Sequence, residues 1–193
     1  MPALALLELS SIAVGIRTGD AMAKRSPIRV LLAGTVHPGK YLVLVGGDVA
    51  SVEEALDAGH EAAGAWLVDE VFLPHPHPSI EATVRGERQA GAGEAVGVVE
   101  LQTVAALLGA ADRGVKGADV TLREMHLADA LGGKSYCIFQ GDVSEVEAAV
   151  ELAVDGLAGP HLLLEHVVIP QIHGEMDANL VAAPRFRTRI DGG

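Results

Sequence analysis

The feature that most constrains the fold of this 193-residue chain is a sequence that occurs twice, with a period slightly above 90 residues. The matching segments keep their order while their separation grows from 92 to 96 positions: Ala3–Leu9 with Ala95–Leu101, Asp20/Lys24 with Asp112/Lys116, 47–49 with 141–143, and Pro74/His77 with Pro170/His173. Solenoid units have periods of only about 20–50 residues. The repeat therefore predicts two diverged copies of one domain, at residues 1–86 and 92–182, followed by a basic tail at 183–193.

Composition and charge narrow the classes of protein that this chain can represent. Hydrophobic residues make up 49% of the chain but aromatic residues only 3%, which predicts a core of small aliphatic side chains. No uninterrupted apolar run reaches the roughly 18 residues of a membrane-spanning helix, so we expect no membrane insertion. A net charge of −12 argues against nucleic acid as a partner. The single cysteine, Cys137, excludes an internal disulfide, and no secretory signal is visible, so we expect a cytoplasmic protein.

Both halves show the same order of apolar runs, capping residues and turn signals. In the first half Ser10 or Ser11 can cap the first helix and Asp48 or Ser51 the second, while the proline-rich residues 74–78 end the last strand. We predict an α+β fold of two tandem ferredoxin-like domains, each a four-stranded antiparallel sheet with helices packed on it. The predicted strands are 4–9, 28–36, 41–45, 66–73, 95–102, 119–128, 134–140 and 161–169, and the predicted helices are 12–24, 49–63, 103–116 and 144–158.

Several short motifs recur at matching positions of the two halves. They are the Glu-Leu strand ends at 8–9 and 100–101, the helix ends from Asp to Lys at 20–24 and 112–116, the Gly-Lys pairs at 39–40 and 133–134, the Gly-Asp-Val helix starts at 47–49 and 141–143, and the Pro-x-x-His segments at 74–77 and 170–173. In their order and spacing, each half resembles the bacterial microcompartment shell domain. The phrases at 19–22, 38–40 and 110–117 are most similar to the tandem shell proteins of propanediol-utilisation compartments.

The resemblance implies a structural role rather than an enzymatic one. Shell proteins with two such domains form homotrimers that look like hexamers and tile into a flat sheet, which encloses a set of enzymes in the cytoplasm. The expected partners are therefore further copies of the chain, other shell proteins, the encapsulated enzymes and the small metabolites that cross a central pore.

The resemblance also implies where the pore lies. In the family, the turn between the second and third strands of each domain points at the symmetry axis. The corresponding residues are Val36, His37, Pro38 and Gly39 in the first half and Leu131, Gly132 and Gly133 in the second. Glycine lets the backbone approach the axis and offers N–H groups to a small polar solute, although a tight hairpin turn requires glycine as well.

His37 is the most informative of these residues. The propanediol-type relatives carry a cysteine at this position, and three such cysteines hold an iron–sulfur cluster. Thiolates suit these clusters, whereas imidazole suits a single zinc, copper, nickel or iron ion. We therefore favour a solvated pore rim without a cofactor. The alternatives are a metal ion or a histidine-held iron–sulfur cluster on the three-fold axis, which serves electron transfer, and a pore whose charge changes at about pH 6–7.

Lys24 and Lys116 close the first helix of each half. In the resembled family the matching lysine lies at the tile edge and hydrogen-bonds the neighbouring tile, whereas the simpler explanation is that a helix C-terminus favours lysine. His75 and Gln171 stand where the family edge often carries an arginine. The lateral contacts of the tile are therefore expected to differ in this chain.

An enzyme or small-ligand sensor built on duplicated ferredoxin-like domains is the alternative from another class. The sequence shows no nucleophile–base pair and no P-loop, because Lys40 and Lys134 precede predicted strands rather than helices. We expect Cys137 to be a small core residue. Glu8 and Glu100 recur at the same strand end, which predicts a structural role for both.

Overall fold

Each half of the chain folds into a four-stranded antiparallel sheet with helices packed on it. The computed structural model describes residues 2–182, so the predicted tail at 183–193 lies outside the described residues. The first half contains β1 (Ala3–Leu9), α1 (Ile12–Arg25), β2 (Val30–Val36), β3 (Lys40–Gly47), α2 (Val49–Ala63), β4 (Leu67–Pro74) and α3 (Pro78–Val84). The second contains β5 (Ala95–Leu101), α4 (Val104–Gly117), β6 (Thr121–His126), β7 (Ser135–Gly141), α5 (Val143–Asp155), β8 (Leu163–Ile169) and α6 (Gly174–Val181). The strand orders are β2-β3-β1-β4 and β6-β7-β5-β8. The predicted α+β fold of two tandem domains is confirmed.

Side-chain caps start the first two helices where the sequence predicts them. At α1, Ser11 accepts a hydrogen bond from the backbone N–H of Val14 at 3.4 Å, and at α2, Asp48 accepts one from the N–H of Ser51 at 3.0 Å. The backbone and side-chain hydrogen bonds from Ser51 hold the pKa of Asp48 below its ordinary value. Of the two candidates at each helix, the structure thus uses Ser11 and Asp48.

Two short helices, α3 and α6, are missing from the sequence prediction. The proline-rich segment ends β4 at Pro74 as expected, but Pro78 then occupies the first turn of α3, where a helix does not need its N–H. The imidazole of His77 caps this helix by accepting from the N–H of Ser79 at 3.3 Å. His173 caps α6 in the same way. The recurring Pro-x-x-His segment therefore starts a helix in both halves.

Strand β1 is buried along its whole length, because helices cover both faces of the first sheet. Leu7 and Leu9 pack with residues of α1 and α2 in one apolar cluster. Leu4 and Leu6, on the opposite face, pack in a second cluster with residues of α4, and this cluster includes Cys137. Burial raises the pKa of the Cys137 thiol to about 12. None of the helices within residues 2–182 is long and apolar enough to cross a membrane.

Polar contacts align α4 on the first sheet. The fully buried carboxylate of Glu8 accepts from the backbone N–H of Val104 at 2.8 Å and from the ammonium of Lys40 at 2.6 Å. Two further contacts join a donor of one half to a carboxylate of the other: the Thr103 hydroxyl to Asp69, and the His77 backbone N–H to Asp112 at 2.7 Å. Since a buried carboxylate requires partners, Glu8 ties the position of α4 to the first sheet.

On the face of the second sheet that packs against α5, position 97 has room only for glycine. A Cβ added to Gly97 would lie 2.7 Å from Val150 Cγ2 and 2.8 Å from Val146 Cγ1, and both valines are stiff at χ1. We expect Gly97→Ala to lower the free energy of unfolding by about 1–3 kcal/mol, measured by urea denaturation. Gly34→Ala is the matched control, because a Cβ there meets nothing within 4 Å. An equal loss in both variants would contradict this packing argument.

Removal of the Glu8 carboxylate tests the contact between the two halves. Glu8→Ala leaves the Lys40 ammonium and the Val104 N–H without their acceptor, so we expect the free energy of unfolding to fall by about 3–5 kcal/mol. Glu61→Ala is the control, since this exposed glutamate on α2 should change the same quantity by less than about 0.5 kcal/mol. A loss at Glu8 no larger than at Glu61 would show that the buried contact is dispensable.

Candidate functional site

Two hairpin turns, one from each half, meet at the boundary between the sheets. The first turn (residues 36–39) joins β2 to β3 and is closed by a backbone hydrogen bond of 2.9 Å. The second turn (residues 127–134) joins β6 to β7 and contains four residues with positive φ: Ala128 at 57°, Ala130 at 62°, Gly132 at 67° and Gly133 at 94°. A Cβ on Gly133 would lie 2.8 Å from Pro38 Cδ. Glycine at this position therefore lets the two turns touch.

His37 of the first turn pairs with Asp129 of the second. Nδ1 of His37 lies 3.0 Å from Oδ1 of Asp129 and 3.4 Å from the backbone nitrogen of Ala130. Nδ1 cannot donate to one and accept from the other at once, and the shorter distance to a carboxylate favours donation to Asp129. In that tautomer Nε2 keeps its lone pair for a further donor or a metal ion. Both side chains are more than half exposed.

Lys40 and Lys134 connect the two turns to the strands behind them. Lys40 follows the first turn and Lys134 is the last residue of the second. Each lysine pairs with the glutamate near the end of the central strand, Lys40 with Glu8 at 2.6 Å and Lys134 with Glu100 at 2.5 Å. The first pair is largely buried beneath α4, whereas the second is partly exposed. The recurring glutamate and Gly-Lys motifs thus hold the turns in place in both halves.

An open recess of about 390 Å³ lies over the first turn. It is lined by Thr35, Val36, His37, Pro38, Gly39 and Asp129. Of the residues predicted to line a pore in the second half, Gly133 packs against the first turn, and Leu131 and Gly132 lie on the same turn as Asp129. The structure thus brings the two predicted groups to one place, and their position around an axis stays a prediction.

Asp129 is the site residue that the sequence prediction misses. That prediction aligns residues 36–39 with 130–133, at a separation of 94. In the sheets, Gly34 lies opposite Leu42 of β3, and His126 lies opposite Tyr136, the equivalent residue of β7. Gly34 and His126 are therefore equivalent, and their separation is 92 where the turn begins. The two extra residues therefore lie between His126 and Tyr136, and Asp129 is the residue of the second turn that contacts His37. The separation is 92 at the ends of the first helices and 94 at the Gly-Lys pairs, and this difference was the signal that the second half has extra residues before its Gly-Lys pair.

The predicted edge lysines lie in the last turns of α1 and α4. Lys24 and Lys116 each pair with the aspartate four residues earlier at 2.6 Å. His75 and Gln171 are exposed after the ends of β4 and β8, and the N–H of His75 donates to the Pro2 carbonyl at 2.7 Å. A contact of these four side chains with a neighbouring tile stays a prediction.

The residues at the two turns do not fit an iron–sulfur cluster. Their donors are the imidazole of His37 and the carboxylate of Asp129, whereas such clusters are held mainly by thiolates. Cys137, the one cysteine of the chain, is buried inside β7. Within residues 2–182 no group of three or more histidine, cysteine, aspartate or glutamate side chains is placed to hold a metal ion. A metal site at these turns therefore requires side chains from several copies.

Known proteins are similar to this chain in sequence or in fold. It is 42% identical to the bacterial microcompartment shell protein PduT of Citrobacter freundii, over 93% of this chain and 97% of PduT. It is 26% identical to the carboxysome assembly protein CcmO of a Synechocystis strain, over 94% of this chain and 65% of CcmO. A crystal structure of a microcompartment protein from Desulfitobacterium hafniense superposes with a TM-score of 0.80 at 35% identity, over 91% of this chain and 98% of that one. A fused permuted hexameric shell protein of the RMM microcompartment, 18% identical with a TM-score of 0.58 over 81% and 84% of the two chains, supports the fold alone.

The family assignment rests on two matches within the one chain. The BMC domain profile matches residues 3–76 and residues 95–172, and each match contains one of the two sheets. Both copies have the same order of strands and helices. The chain therefore belongs to the BMC domain family of bacterial microcompartment shell proteins, as a tandem member with two copies of the domain.

Proposed function

We propose that this chain is a structural shell protein of a bacterial microcompartment, and that three copies form a hexamer-like tile around a central pore. Its relative PduT is a microcompartment shell protein, and the solved neighbour from Desulfitobacterium is a microcompartment protein. The proposal assigns the chain no catalytic activity and places it in the shell, beside other shell proteins. Lys24, Lys116, His75 and Gln171 are its proposed contacts with neighbouring tiles, and enclosed enzymes are proposed partners on one face.

The observation that carries the proposal is a difference in burial between two equivalent helices. In α4, Val104, Ala105, Leu108 and Asp112 are buried against the first sheet. The residues 92 positions earlier, on α1, are all exposed: Ile12, Ala13, Ile16 and Asp20. The exposed fraction is 57% at Ile16 and 0% at its counterpart Leu108. An exposed apolar helix face that is buried in the sister helix indicates an interface.

The second sheet carries the complementary surface. On β8, Val167 and Ile169 are 45% and 36% exposed, whereas their counterparts Val71 and Leu73 in the first sheet pack in the cluster that contains α4. Helix α1 of one copy can therefore dock on the second sheet of another, as α4 docks on the first sheet within the chain. Such head-to-tail contacts form a closed ring when the rotation is completed. Since each chain fills two positions of a six-position tile, three copies close the ring.

The proposed pore lies where the two turns meet. In a ring of three chains the first and second turns alternate around the axis, so three His37 side chains alternate with three Asp129 side chains. The rim then presents imidazole nitrogens and carboxylate oxygens, both of which accept hydrogen bonds, so it suits the passage of small polar metabolites that donate them. The contact between His37 and Asp129 at 3.0 Å supports this arrangement within one chain.

The proposed tile has a definite mass, and a single substitution in the contact between copies should prevent the tile from forming. We expect a trimer of about 60 kDa by light scattering, three times the 19.9 kDa chain. Ile16→Asp places a charge in the proposed contact between copies, and we expect it to shift the protein to a folded monomer, because an unpaired buried charge is costly. A wild-type protein that stays monomeric at micromolar concentration would contradict the proposed tile.

Val143→Asp is the matched control for this experiment. Val143 is also an exposed aliphatic residue, but it begins α5, where the helix N-terminus tolerates an acidic side chain. We expect this variant to remain a trimer. Equal dissociation of the two variants would mean that added negative charge, rather than the α1 face, separates the copies.

A second candidate function is a divalent-metal site formed by three His37 side chains at the pore. The observation that favours it is the hydrogen bond between Nδ1 and Asp129, because metal-bound histidines commonly donate their other nitrogen to a carboxylate. An imidazole set of this kind suits zinc, nickel or copper. The candidate concerns the same turn, and the shell role does not depend on it.

Metal analysis of the trimer tests this candidate. After incubation with Zn²⁺ and dialysis, we expect about one zinc ion per three chains by elemental analysis, none in His37→Ala, and about 10–100-fold weaker retention in Asp129→Asn. His161→Ala removes an exposed histidine elsewhere and should retain the metal. Wild-type trimer that retains no zinc would eliminate the metal site and leave the tile intact.

A further inference from the structure

We infer that Glu100 and Lys134 form one half of a carboxylate site, and that a second copy of the chain completes it with the first turn of its α1. The inference rests on the proposed trimer and adds the polar contact that sets the register between copies. Three observations support it. Glu8 occupies a complete site of this kind, Glu100 has the paired lysine but no helix start among the described residues, and the start of α1 is exposed.

The completed form surrounds Glu8. One carboxylate oxygen accepts from Lys40 and the other from the backbone N–H of Val104, the first residue of α4. The first N–H groups of a helix have no acceptor within the helix and carry a partial positive charge. Glu8 is fully buried in this site, so lysine and helix N-terminus together replace the water around the carboxylate.

The unfinished form surrounds Glu100. This glutamate occupies the same place in the second sheet, opposite Tyr136 and Glu165 where Glu8 lies opposite Leu42 and Asp69. It pairs with Lys134 at 2.5 Å, as Glu8 pairs with Lys40. Within residues 2–182, however, no helix N–H donates to Glu100, and its side chain is 31% exposed where that of Glu8 is 0% exposed.

Helix α1 has the start that this site requires. Its cap, Ser11, is equivalent to Thr103 at the start of α4, and each hydroxyl accepts from the N–H three residues later. Ile12 is 42% exposed, whereas its counterpart Val104 is 0% exposed. If α1 of a second copy packs on the second sheet as α4 packs on the first sheet, the backbone N–H of Ile12 reaches Glu100.

Two further pairs of groups correspond to the polar contacts between the halves. The Thr103–Asp69 contact has its counterpart in Ser11 and Glu165, and the His77–Asp112 contact has its counterpart in His173 and Asp20. Glu165 lies directly opposite Glu100 on the neighbouring strand, where like charges repel. The positive end of α1 from another copy relieves this repulsion, which explains why two acidic residues are found together at the site.

Dissociation of the trimer on dilution tests the role of Glu100. We expect Glu100→Ala to raise the dissociation constant by about 30-fold or more, measured by sedimentation equilibrium, because it removes one partner of a buried, hydrogen-bonded charged contact. Glu151→Ala, which removes an exposed carboxylate on α5, is the control and should leave the constant unchanged. Circular dichroism should show both variants folded, since Glu100 is partly exposed in the single chain.

Cross-linking gives an independent readout when the wild-type trimer is too tight to dissociate. In an Ala13→Cys, Val167→Cys background, a short bis-maleimide should join α1 of one copy to β8 of the next and yield covalent three-chain rings. Ala23→Cys, Val167→Cys is the control, because Ala23 lies at the far end of α1. Cys137 does not compete, since it is buried and its thiol pKa is raised.

The outcomes separate this inference from the proposed function. We expect Glu100→Ala to reduce the yield of covalent rings at low protein concentration. A trimer that dissociates and cross-links like the wild type despite Glu100→Ala would overturn the carboxylate site and leave the tile standing. A wild-type monomer without cross-links would overturn the tile, and the site between copies with it.

Discussion

The packing of α4 on the first sheet is the contact on which the rest of the structure depends. A sheet of this kind has two apolar faces, and its own two long helices cover one of them. In the first half the other face carries Leu4 and Leu6 and is covered by α4, with Glu8 as the buried polar contact. In the second half, no element of residues 2–182 covers the equivalent face in this way. Duplication thus provides one complete interface and leaves the two surfaces of a second one exposed.

Duplication also lets equivalent positions carry different chemistry. In the first sheet, Leu32 and Leu42 line an apolar cleft of about 300 Å³ beside the first turn. Glu124 and Tyr136 occupy the equivalent positions of the second sheet, where the tyrosine hydroxyl donates to the carboxylate at 2.7 Å. Burial and the nearby glutamate raise the pKa of Tyr136 well above its ordinary value. A hexamer of single domains must present six identical copies of each feature, whereas a tandem trimer alternates two.

Local signals predicted most of the elements, because capping and turn chemistry act over a few residues. Ser11 and Asp48 cap their helices as expected, and Pro74 ends β4. The same local reasoning missed α3, since a run of prolines suggests only the end of a strand although Pro78 suits the first turn of a helix. Asp129 was missed because spacing alone does not show where the two extra residues of the second turn lie.

The sequence by itself determined the duplication, the order of the elements and the glutamate and Gly-Lys motifs behind each turn, because these depend on spacing and on local backbone preference. Only the tertiary structure decided which copy of each motif is complete. Glu8 and Glu100 look the same in the sequence, yet one is buried beneath a helix that begins 96 residues later and the other is partly exposed. Burial depends on which surfaces the fold brings together, and spacing along the chain carries no record of that.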